Sequence, residues 1–495
     1  MPGLVEALHQ IFSPAGIILI LLGTALGVFV GAVPGLTGAM VIALILPLTH
    51  GHDALLSMAF LIAIYVGAVS GGMITATLLR MPGTPASIVT TLDGYPLAKN
   101  GHPGRALGLG VMASFSGGMI SWLFLVLLTQ PVARLSVKFG YFEYFSLVMM
   151  ALVLIATIGG KSLPKALFAG FLGILCSMPG ISAATGEARL TFGFEAMNSG
   201  FELLSVLIGL FAVNQIIQEI ISIDKKGVAI EIGKNTVFVK LRDFALHGWN
   251  MIRSAVIGTW IGILPGIGAN IGSLTAYSFT KSLSKEPEKF GTGHEPGIVS
   301  AETANNATIG GALIPLLAMG LPGSIMEAVL IGALVMHGLT PGPRLFEQSP
   351  DMVYTVMGSM FIANIAMAAI MFFSMGFLAK LIKIPKRYLF PVILCFCVIG
   401  ALANANNPFD IWVMLGFGLL GFVMEKTGFP LAPFVIGFVL GGIAEENISL
   451  GLQSSNGSYA PLLTRPMSAF FLLVAVIMLV VPAVKSIVAK RREAV

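Results

Sequence analysis

Long apolar runs, separated by short polar connections, make up most of this chain. Crossing a lipid bilayer as a helix takes about 20 apolar residues. Several runs are shorter than that and end at a Pro-Gly pair, which is typical of half-helices and re-entrant hairpins. The pattern predicts an all-α polytopic membrane protein with about 10–14 membrane segments. The runs lie at residues 17–33, 39–48, 54–69, 106–128, 145–158, 166–178, 203–222, 251–264, 307–319, 325–336, 352–379, 388–403, 409–424, 431–444 and 467–484.

Four Pro-Gly pairs interrupt or end these runs. Proline removes a backbone donor and glycine adds backbone freedom, so a helix cannot pass cleanly through such a pair. Inside a bilayer the freed backbone groups need partners in a cavity or on a ligand. We therefore expect the breaks to form a binding site, the alternative being kinks between tightly packed helices. The pairs are Pro34-Gly35, Pro82-Gly83, Pro265-Gly266 and Pro322-Gly323.

An internal duplication is indicated by three pairs of similar segments that occur in the same order. GAVPGLTGA at 31–39 recurs as GILPGIGAN at 262–270, and the Gly-Gly pair before Pro82 recurs before Pro322. LIGLFAVNQ at 207–215 recurs more loosely as VIGFVLGGI at 435–443. Chance is the alternative, because Pro-Gly pairs are frequent in this chain. We predict membrane repeat 1 at 1–223, a cytoplasmic loop at 224–250, and membrane repeat 2 with an extra C-terminal helix at 251–495.

Basic residues predict how the chain is oriented in the membrane. Lys and Arg crowd the central loop, and further clusters lie at 380–387 and 485–492. These three regions should face the cytoplasm. The first basic residue is Arg80, which favours an N-terminus outside. An odd number of crossings in the first half would then invert the second half, as in many secondary transporters.

Composition agrees with a membrane protein. Hydrophobic residues make up 56% of the chain and charged residues only 10%, against about 25% charged in soluble domains. The mean hydropathy is +0.92. The net charge of +5 is interpreted as the loop bias of a membrane protein rather than as a nucleic-acid-binding surface. The lipid bilayer is therefore an expected partner and nucleic acid is not.

Small or hydroxyl-bearing residues follow each break. Half-helix N-termini carry free N–H groups and a partial positive charge of about half a unit, which suits an anion. Unwound carbonyls and hydroxyls suit Na⁺. We predict substrate-binding residues Pro34, Gly35, Thr37, Arg80, Pro82, Gly83, Thr84, Pro265, Gly266, Pro322, Gly323 and Ser324, and Na⁺ ligands among Asn270, Asn305 and Asn306.

Other polar residues in apolar surroundings have two interpretations each. Glu302 and the two asparagines after it stand just before an apolar run, either as a cation or carboxylate site or as the polar start of an interfacial helix. Arg80 costs about 2.5–3.5 kcal/mol at membrane depth, so it either meets a substrate carboxylate or reaches the headgroups. Asp93, in LDGYP, is typical of a polar surface turn, either as a solvated connector or with a docking role. Gly23, Gly27 and Gly31 predict close helix packing.

Enzyme motifs are absent from the sequence. There is no His-Glu-x-x-His, Gly-x-Ser-x-Gly or Walker A pattern. We therefore expect a protein that is not an enzyme and has no cofactor other than a coupling ion. Without a nucleotide-binding loop, this subunit is not an ATP-driven motor by itself.

At these positions the chain resembles the large membrane subunit of the tripartite tricarboxylate transporters, the TctA family. The resemblance rests on MPGTPAS (81–87), LDGYPLAKNGHPGRALG (92–108), LPGIGA (264–269) and AETANNATIGGALIPLLAMGLPGS (301–324), and it covers nearly the whole chain. Arg80 and Met73 depart from the family pattern, in which Asn and Ser are usual. The resemblance implies carboxylate uptake across the bacterial inner membrane on a Na⁺ or proton gradient. It also implies two partners, a small four-helix membrane subunit and a periplasmic substrate-binding protein.

Charge arithmetic favours coupling to cations. Importing a trianion against 100 mV costs about 7 kcal/mol, at roughly 2.3 kcal/mol per charge. Few carboxylates accompany the breaks, which favours Na⁺ over a proton relay. The predicted function is the permease subunit of a binding-protein-dependent carboxylate importer with cation symport. The alternatives are a stand-alone carboxylate symporter and a passive channel or structural membrane subunit.

Overall fold

Helices form almost all of the structure in this computed structural model. It describes residues 3–33, 35–158, 162–182, 185–221, 239–266, 268–381, 386–403 and 407–493. Within these ranges the strand structure is one short antiparallel pair, β1 (Gly180–Ile181) and β2 (Ala188–Arg189). The all-α membrane fold expected from the sequence is confirmed.

The helices fall into two groups on either side of the central loop. In the first group the α-helices are α1 (Leu4–Ile11), α2 (Pro14–Gly31), α3 (Gly38–Ile45), α4 (Ala54–Leu79), α5 (Thr90–Lys99), α6 (Pro103–Ser136), α7 (Tyr141–Ile158), α8 (Leu163–Ser177), α9 (Leu203–Ile208) and α10 (Asn214–Ile221). In the second group they are α11 (Leu241–Ile263), α12 (Gly268–Leu283), α13 (Glu295–Met319), α14 (Ile325–Met336), α15 (Arg344–Gln348), α16 (Pro350–Leu381), α17 (Lys386–Ala403), α18 (Phe409–Lys426), α19 (Leu431–Ser454), α20 (Pro461–Thr464) and α21 (Pro466–Glu493). Short 3-10 turns lie at Leu46–Thr49, Pro85–Ile88, Glu195–Met197 and Pro287–Lys289, and a π-helical turn lies at Gly209–Val213.

Six helical stretches among the described residues are long and apolar enough to cross a membrane. A helix needs about 20 residues to cross a bilayer. The apolar residues of these stretches face lipid or neighbouring helices. Six shorter apolar helices accompany them. The long stretches are Pro14–Gly31, Ala54–Leu79, Pro103–Ser136, Leu203–Ile221, Pro350–Phe377 and Leu431–Ser454, and the short ones are Gly38–Thr49, Tyr141–Thr157, Leu163–Ser177, Ile325–Met336, Phe390–Leu402 and Pro466–Val481.

Helices α4 and α13 lie at the centre of the molecule. Both are buried along nearly their whole length and on all sides. A helix that has no polar face is stable only when neighbours surround it. Helix α2 packs along α4, whereas α6 and α11 pack along α13. The residues that α4 and α13 carry are therefore inside the protein rather than against lipid.

Glycines bring the backbones of the paired helices into contact. A side chain at Gly23 would lie 2.7 Å from the Phe60 carbonyl oxygen, and one at Gly27 or Gly31 would collide with a carbonyl of α4. Small residues at a helix interface allow such close approach. The packing role predicted for these three glycines is confirmed. In the second group, Gly262 of α11 packs in the same way against α13, where an added side chain would lie 2.5 Å from the Thr308 carbonyl oxygen.

The chain turns back sharply after each central helix. Helix α4 ends at Arg80, whose φ of +55° is left-handed, and the amide of Gly83 then donates to the Gly72 carbonyl at 3.4 Å. Helix α13 ends at Gly320, with φ of +72°, and the amide of Leu321 donates to the Pro315 carbonyl at 3.2 Å. Both Pro-Gly breaks thus lie alongside the helix that precedes them.

The predicted duplication stays a prediction. Its proposed boundary falls in the 224–250 loop, of which residues 224–238 lie outside the described residues. The matching breaks in the two halves nevertheless make similar contacts. A side chain added at Gly83 would meet Gly31 and Gly72, and one added at Gly323 would lie 3.1 Å from the carbonyl oxygen of Gly262, the residue that corresponds to Gly31.

Candidate functional site

A small cavity lies where broken segments of the second half meet α4. Its volume is about 60 Å³. Helix α4 supplies one wall, and the starts of α12 and α14 supply the opposite side. At roughly 30 Å³ per water molecule, the space suits a few waters or an ion. The lining residues are Tyr65, Val69, Gly262, Gly268, Ala269, Thr308, Ala312, Gly323, Ser324 and Met326.

Two of the predicted breaks meet directly at this cavity. The amide of Gly266 donates to the Gly323 carbonyl at 2.7 Å, so the Pro265-Gly266 and Pro322-Gly323 turns are hydrogen-bonded to each other. Gly266 has a φ of +77°, a conformation that glycine adopts without strain. Helices α12 and α14 both begin immediately after these turns. Their N-terminal amides therefore converge on one small volume, which favours a negative group there.

The first break adjoins the same region from the other side. The hydroxyl of Thr37 caps α3 by accepting from the Met40 amide at 3.2 Å. The next residue, Gly38, lies against Met326, which also lines the cavity. Gly35, with a φ of +90°, lies against the Glu219 side chain of α10, and the predicted site residue Pro34 falls outside the described residues. The start of α3 is thus separated from the cavity by the thickness of one methionine side chain.

The second break lies apart from the cavity. Gly83 packs against Gly31 and Gly72, and Thr84 is buried there with a hydroxyl oxygen that has no partner among the described residues. Pro82 and Arg80 are exposed on the protein. The Arg80 guanidinium lies 5.7 Å from the centre of the Tyr95 ring, a cation–π arrangement.

Helix α13 carries a buried polar cluster of Glu302, Asn305 and Asn306, each 0% exposed. The carboxylate of Glu302 accepts from the Thr90 hydroxyl, from Ser114 at 3.4 Å and from the Asn305 amide at 3.4 Å. These partners are all uncharged. The cluster therefore places a carboxyl group in the protein interior without a basic partner among the described residues.

The two asparagines of this cluster have different surroundings. Asn306 accepts from the Ser70 hydroxyl at 2.6 Å and donates to the Glu302 carbonyl at 3.1 Å, which ties α13 to α4. The Oδ1 atom of Asn305 is buried and has no hydrogen-bond partner among the described residues. Oxygen atoms of this kind are ligands that hard cations accept. The third predicted Na⁺ ligand, Asn270, is exposed in the first turn of α12.

Sequence reasoning missed a buried pair beside the cavity. The Tyr65 hydroxyl donates to Oε1 of Glu327, and Glu327 is 0% exposed. Ser324 and Glu327 form the Ser-x-x-Glu pattern of a helix N-terminal capping box. That pattern in the sequence could have indicated that an acidic residue follows the Pro322-Gly323 break.

Asp93 is also buried, at 0% exposure, rather than part of a surface turn. Its Oδ1 accepts from the amides of Gly291, Gly293 and His294 at 2.8–2.9 Å, and its Oδ2 accepts from Tyr277 at 2.9 Å. These bonds hold the loop before α13 against α5. Asp93 is therefore a positioning residue for the helix that bears the polar cluster.

A charged cluster lies at the end of the molecule where α6, α11 and α13 begin. Arg105 donates to Glu295 at 2.8 Å and to both carboxylate oxygens of Asp243. The hydrogen bond from Arg105 lowers the pKa of Asp243 to about 2. This cluster joins the two halves of the chain at that end and is separate from the cavity.

Interrupted helices that meet at a small cavity, within a multi-pass helical protein, are typical of membrane transport proteins. A family model described as "Tripartite tricarboxylate transporter TctA family" matches residues 17–436, and this chain belongs to that family. It is a multi-pass membrane component of a transporter rather than a member of an enzyme family.

Two relatives from Agrobacterium vitis are similar over long stretches. The "Uncharacterized 52.8 kDa protein in TAR-I ttuC' 3'region" is 34% identical over 479 residues, which is 97% of this chain and 95% of the relative. The "Uncharacterized protein in TAR-II ttuC' 3'region" is 37% identical over 232 residues, 46% of this chain and 96% of the relative. No solved structure matches.

Proposed function

We propose that this chain is the permease subunit of a binding-protein-dependent secondary transporter that imports tricarboxylates or related carboxylates by cation symport. The observation that carries the proposal is the convergence of the α12 and α14 N-termini on one interior cavity, through the hydrogen bond between Gly266 and Gly323. A helix N-terminus attracts a carboxylate through its free amides and its partial positive charge. Membership of the TctA family supports the substrate class.

The substrate carboxylate would bind where the broken segments end. Gly323 and Ser324 offer backbone amides and one hydroxyl at the cavity, whereas Gly266 uses its own amide to hold the Gly323 carbonyl. Thr37 lies one methionine away. A cavity of about 60 Å³ is smaller than a tricarboxylate, which has more than ten heavy atoms. Binding of such a substrate would therefore require the cavity to widen, by separation of the start of α3 from α14.

The coupling cation would bind at the polar cluster of α13. Three Na⁺ ions would cancel the charge of a trianion, whose entry against 100 mV otherwise costs about 7 kcal/mol. Asn305 offers a buried oxygen that has no partner among the described residues, and the Glu302 carboxyl group beside it would carry the negative charge once the cation is bound. Asn270 would contribute only after α12 moves, because it is exposed here.

The partners proposed are a small four-helix membrane subunit and a periplasmic protein that delivers the substrate, with the complex in the bacterial inner membrane. The family's description as tripartite supports the need for further subunits. Uptake into proteoliposomes tests this directly. We expect accumulation of carboxylate only with the binding protein, the small subunit and an inward cation gradient.

Variants of the polar cluster test the cation site. Asn305→Ala and Asn306→Ala should raise the Na⁺ concentration needed for half-maximal uptake by about tenfold, equivalent to roughly 1.4 kcal/mol. Asn447→Ala is the matched control, because Asn447 makes the same bond to the carbonyl four residues earlier but lies on α19. Wild-type Na⁺ dependence in both cluster variants would remove these residues from the site.

Two other functions give different results in the same assay. A stand-alone symporter would accumulate substrate at full rate without the binding protein. A passive channel or structural subunit would never accumulate substrate above the external concentration, because it can only dissipate a gradient.

A further inference from the structure

The Tyr65–Glu327 pair is a buried acid at the edge of the cavity. Glu327 is 0% exposed, and one of its oxygens accepts from the Tyr65 hydroxyl. Its other oxygen, Oε2, has no hydrogen-bond partner among the described residues. Tyr65 lines the cavity together with Ser324, the N-cap of the helix that carries Glu327. The pair also joins the two halves of the chain, because Tyr65 is on α4 and Glu327 is on α14.

No positive charge faces this carboxyl group from the described parts of the helices packed on α14. Helices α3 and α9 contain no ionisable residue, and α4 presents Tyr65. Helix α13 carries Glu295 and Glu302, and α19 carries Glu445 and Glu446. The side chains of these helices are thus neutral or acidic, and the positive partial charge at the start of α14 is opposed by the complete burial of the carboxyl group.

A carboxylate in such surroundings is unstable as a bare anion. Removing an ionised carboxylate from water without a paired charge is so unfavourable that the group takes up a proton or a cation instead. A bound Na⁺ would need about six oxygen ligands, as other hard cations do, and the structure brings only two hydroxyl groups, those of Tyr65 and Ser324, near this carboxylate. A proton needs one carboxylate oxygen, and Oε2 has no hydrogen-bond partner among the described residues.

The helix start alone would explain an acid at this position, because glutamate three residues after a serine cap is common. That role is ordinarily filled by an ionised, hydrated side chain at the protein surface. Here the side chain is fully buried beside a cavity large enough for a few waters. Glu327 is not itself among the lining residues and adjoins the cavity through Tyr65 and through Ser324 of its own helix. Water in the cavity would therefore exchange a proton with Oε2 when the start of α14 moves.

We infer that Glu327 is the proton-binding group of the transport cycle and that the substrate enters together with a proton carried on its Oε2 atom. The inference rests on the proposed carboxylate-import function. In the outward-open state a water donates the proton to Oε2, and in the inward-open state Oε2 returns it to water on the other side. The Tyr65 hydroxyl donates to Oε1 throughout and keeps the carboxyl group oriented. Tyr65 is therefore a positioning residue.

Comparing net uptake with substrate exchange distinguishes a proton-binding role of Glu327 from a structural role. The experiment uses the complete complex in proteoliposomes, with equal Na⁺ and equal K⁺ concentrations on the two sides and the voltage clamped to zero by valinomycin, so that the pH gradient is the only driving force. With one proton per substrate, an inside-alkaline gradient of one pH unit should drive about tenfold accumulation by the wild type. Glu327→Gln, which cannot exchange a proton, should abolish that accumulation. It should leave exchange of internal for external carboxylate within about twofold of the wild type, because exchange moves no net proton. Glu288→Gln, at an exposed position, is the matched control and should behave as the wild type.

Tyr65→Phe keeps the test informative if Glu327→Gln does not fold. Loss of the donor to Oε1 favours the protonated carboxyl group, so the pH at which transport is half-maximal should rise while exchange persists. A Glu327→Gln variant that still accumulates substrate on the pH gradient would overturn the inference, as would an unchanged pH profile in Tyr65→Phe. Loss of exchange in a folded Glu327→Gln variant would also overturn it, because the residue would then serve binding or structure. A wild type that accumulates substrate on an inward Na⁺ gradient but not on the pH gradient would overturn it as well, and would assign the carboxyl group to Na⁺ instead.

The same experiment distinguishes failure of the proton assignment from failure of the proposed import function. If the wild-type complex neither exchanges nor accumulates any carboxylate, the import function itself is wrong. If the wild type transports carboxylate and the Glu327 variant follows the pH gradient equally well, only the proton assignment is wrong.

Discussion

The Asp93 contacts make a specific prediction about stability. One carboxylate holds three backbone amides and one phenol, all at 2.8–2.9 Å, and none of the four donors is on its own helix. Hydrogen bonds to a charged group contribute about 1.5–3 kcal/mol each, so four of them set an upper bound of roughly 6–12 kcal/mol. Residues 291–294 are partly exposed, so water can replace the carboxylate at some amides. We therefore expect Asp93→Ala to cost about 3–5 kcal/mol of unfolding free energy.

Two milder variants set the scale for this effect. Asp93→Asn keeps one acceptor oxygen and loses the charge, so it should cost about 1–2 kcal/mol. Tyr277→Phe removes one bond and should cost about 1 kcal/mol. The assay is the melting temperature of the purified protein in detergent, followed by tryptophan fluorescence. A chain of this length should lose about 1–2 °C per kcal/mol, somewhat less than smaller domains do.

The order of the variants is the decisive result. The melting temperature should fall most in Asp93→Ala, less in Asp93→Asn and least in Tyr277→Phe. Glu288→Ala, an exposed acid in the same loop, is the control and should shift it by less than about 1 °C. An Asp93→Ala protein that melts with the wild type would refute the reasoning, because it would mean that the loop before α13 is held by other contacts.

Two further predictions concern packing and charge. Gly27→Ala should destabilise the protein by about 1–3 kcal/mol because its new methyl group meets α4 backbone. Gly376→Ala, which meets nothing within 4 Å, should be neutral or stabilising by up to about 1 kcal/mol in the same melting assay. The Arg105–Asp243 pair should be insensitive to mild acid: the pKa of Asp243 is lowered to about 2 from an ordinary 3.8, so its stabilising contribution is complete above pH 3.8 and is lost as the pH falls through about 2. Asp243→Asn should therefore change the melting temperature equally at pH 5 and pH 7, and a difference between the two would contradict the assignment.

The sequence predicted features that depend on local chemistry. Pro-Gly pairs end helices wherever they occur, and glycines at four-residue spacing mark a close helix crossing, so Gly266, Gly323 and Gly27 were identifiable without coordinates. Which breaks meet was not identifiable. The Gly266–Gly323 hydrogen bond joins positions 57 residues apart. Pro82-Gly83 has the same local signal, yet it packs against its own helix away from the cavity.

The buried acids show a different limit of sequence reasoning. Asp93 stands among polar and turn-forming residues, and its partners are backbone amides about 200 positions later, which leave no pattern in the sequence. Glu327 had a recognisable capping signal, but burial of its carboxyl group depends on Tyr65, 262 positions earlier. The sequence argument that few carboxylates accompany the breaks is wrong for this reason: Glu302 and Glu327 both lie in the interior, at 0% exposure.

The glycine crossings also determine how the molecule can change shape. Where main chain touches main chain, as between α2 and α4 or between α11 and α13, there are no side-chain ridges that can slide into a neighbouring groove. We therefore expect α2 and α4 to move together as one rigid body, and α11 and α13 to move together as another. Movement is expected instead where the start of α3 meets the start of α14 across Met326. The unbranched methionine side chain can adopt many conformations at little energetic cost. A cross-link between the start of α3 and the start of α14 should therefore abolish transport. A cross-link between α2 and α4, or between α11 and α13, should leave transport unchanged.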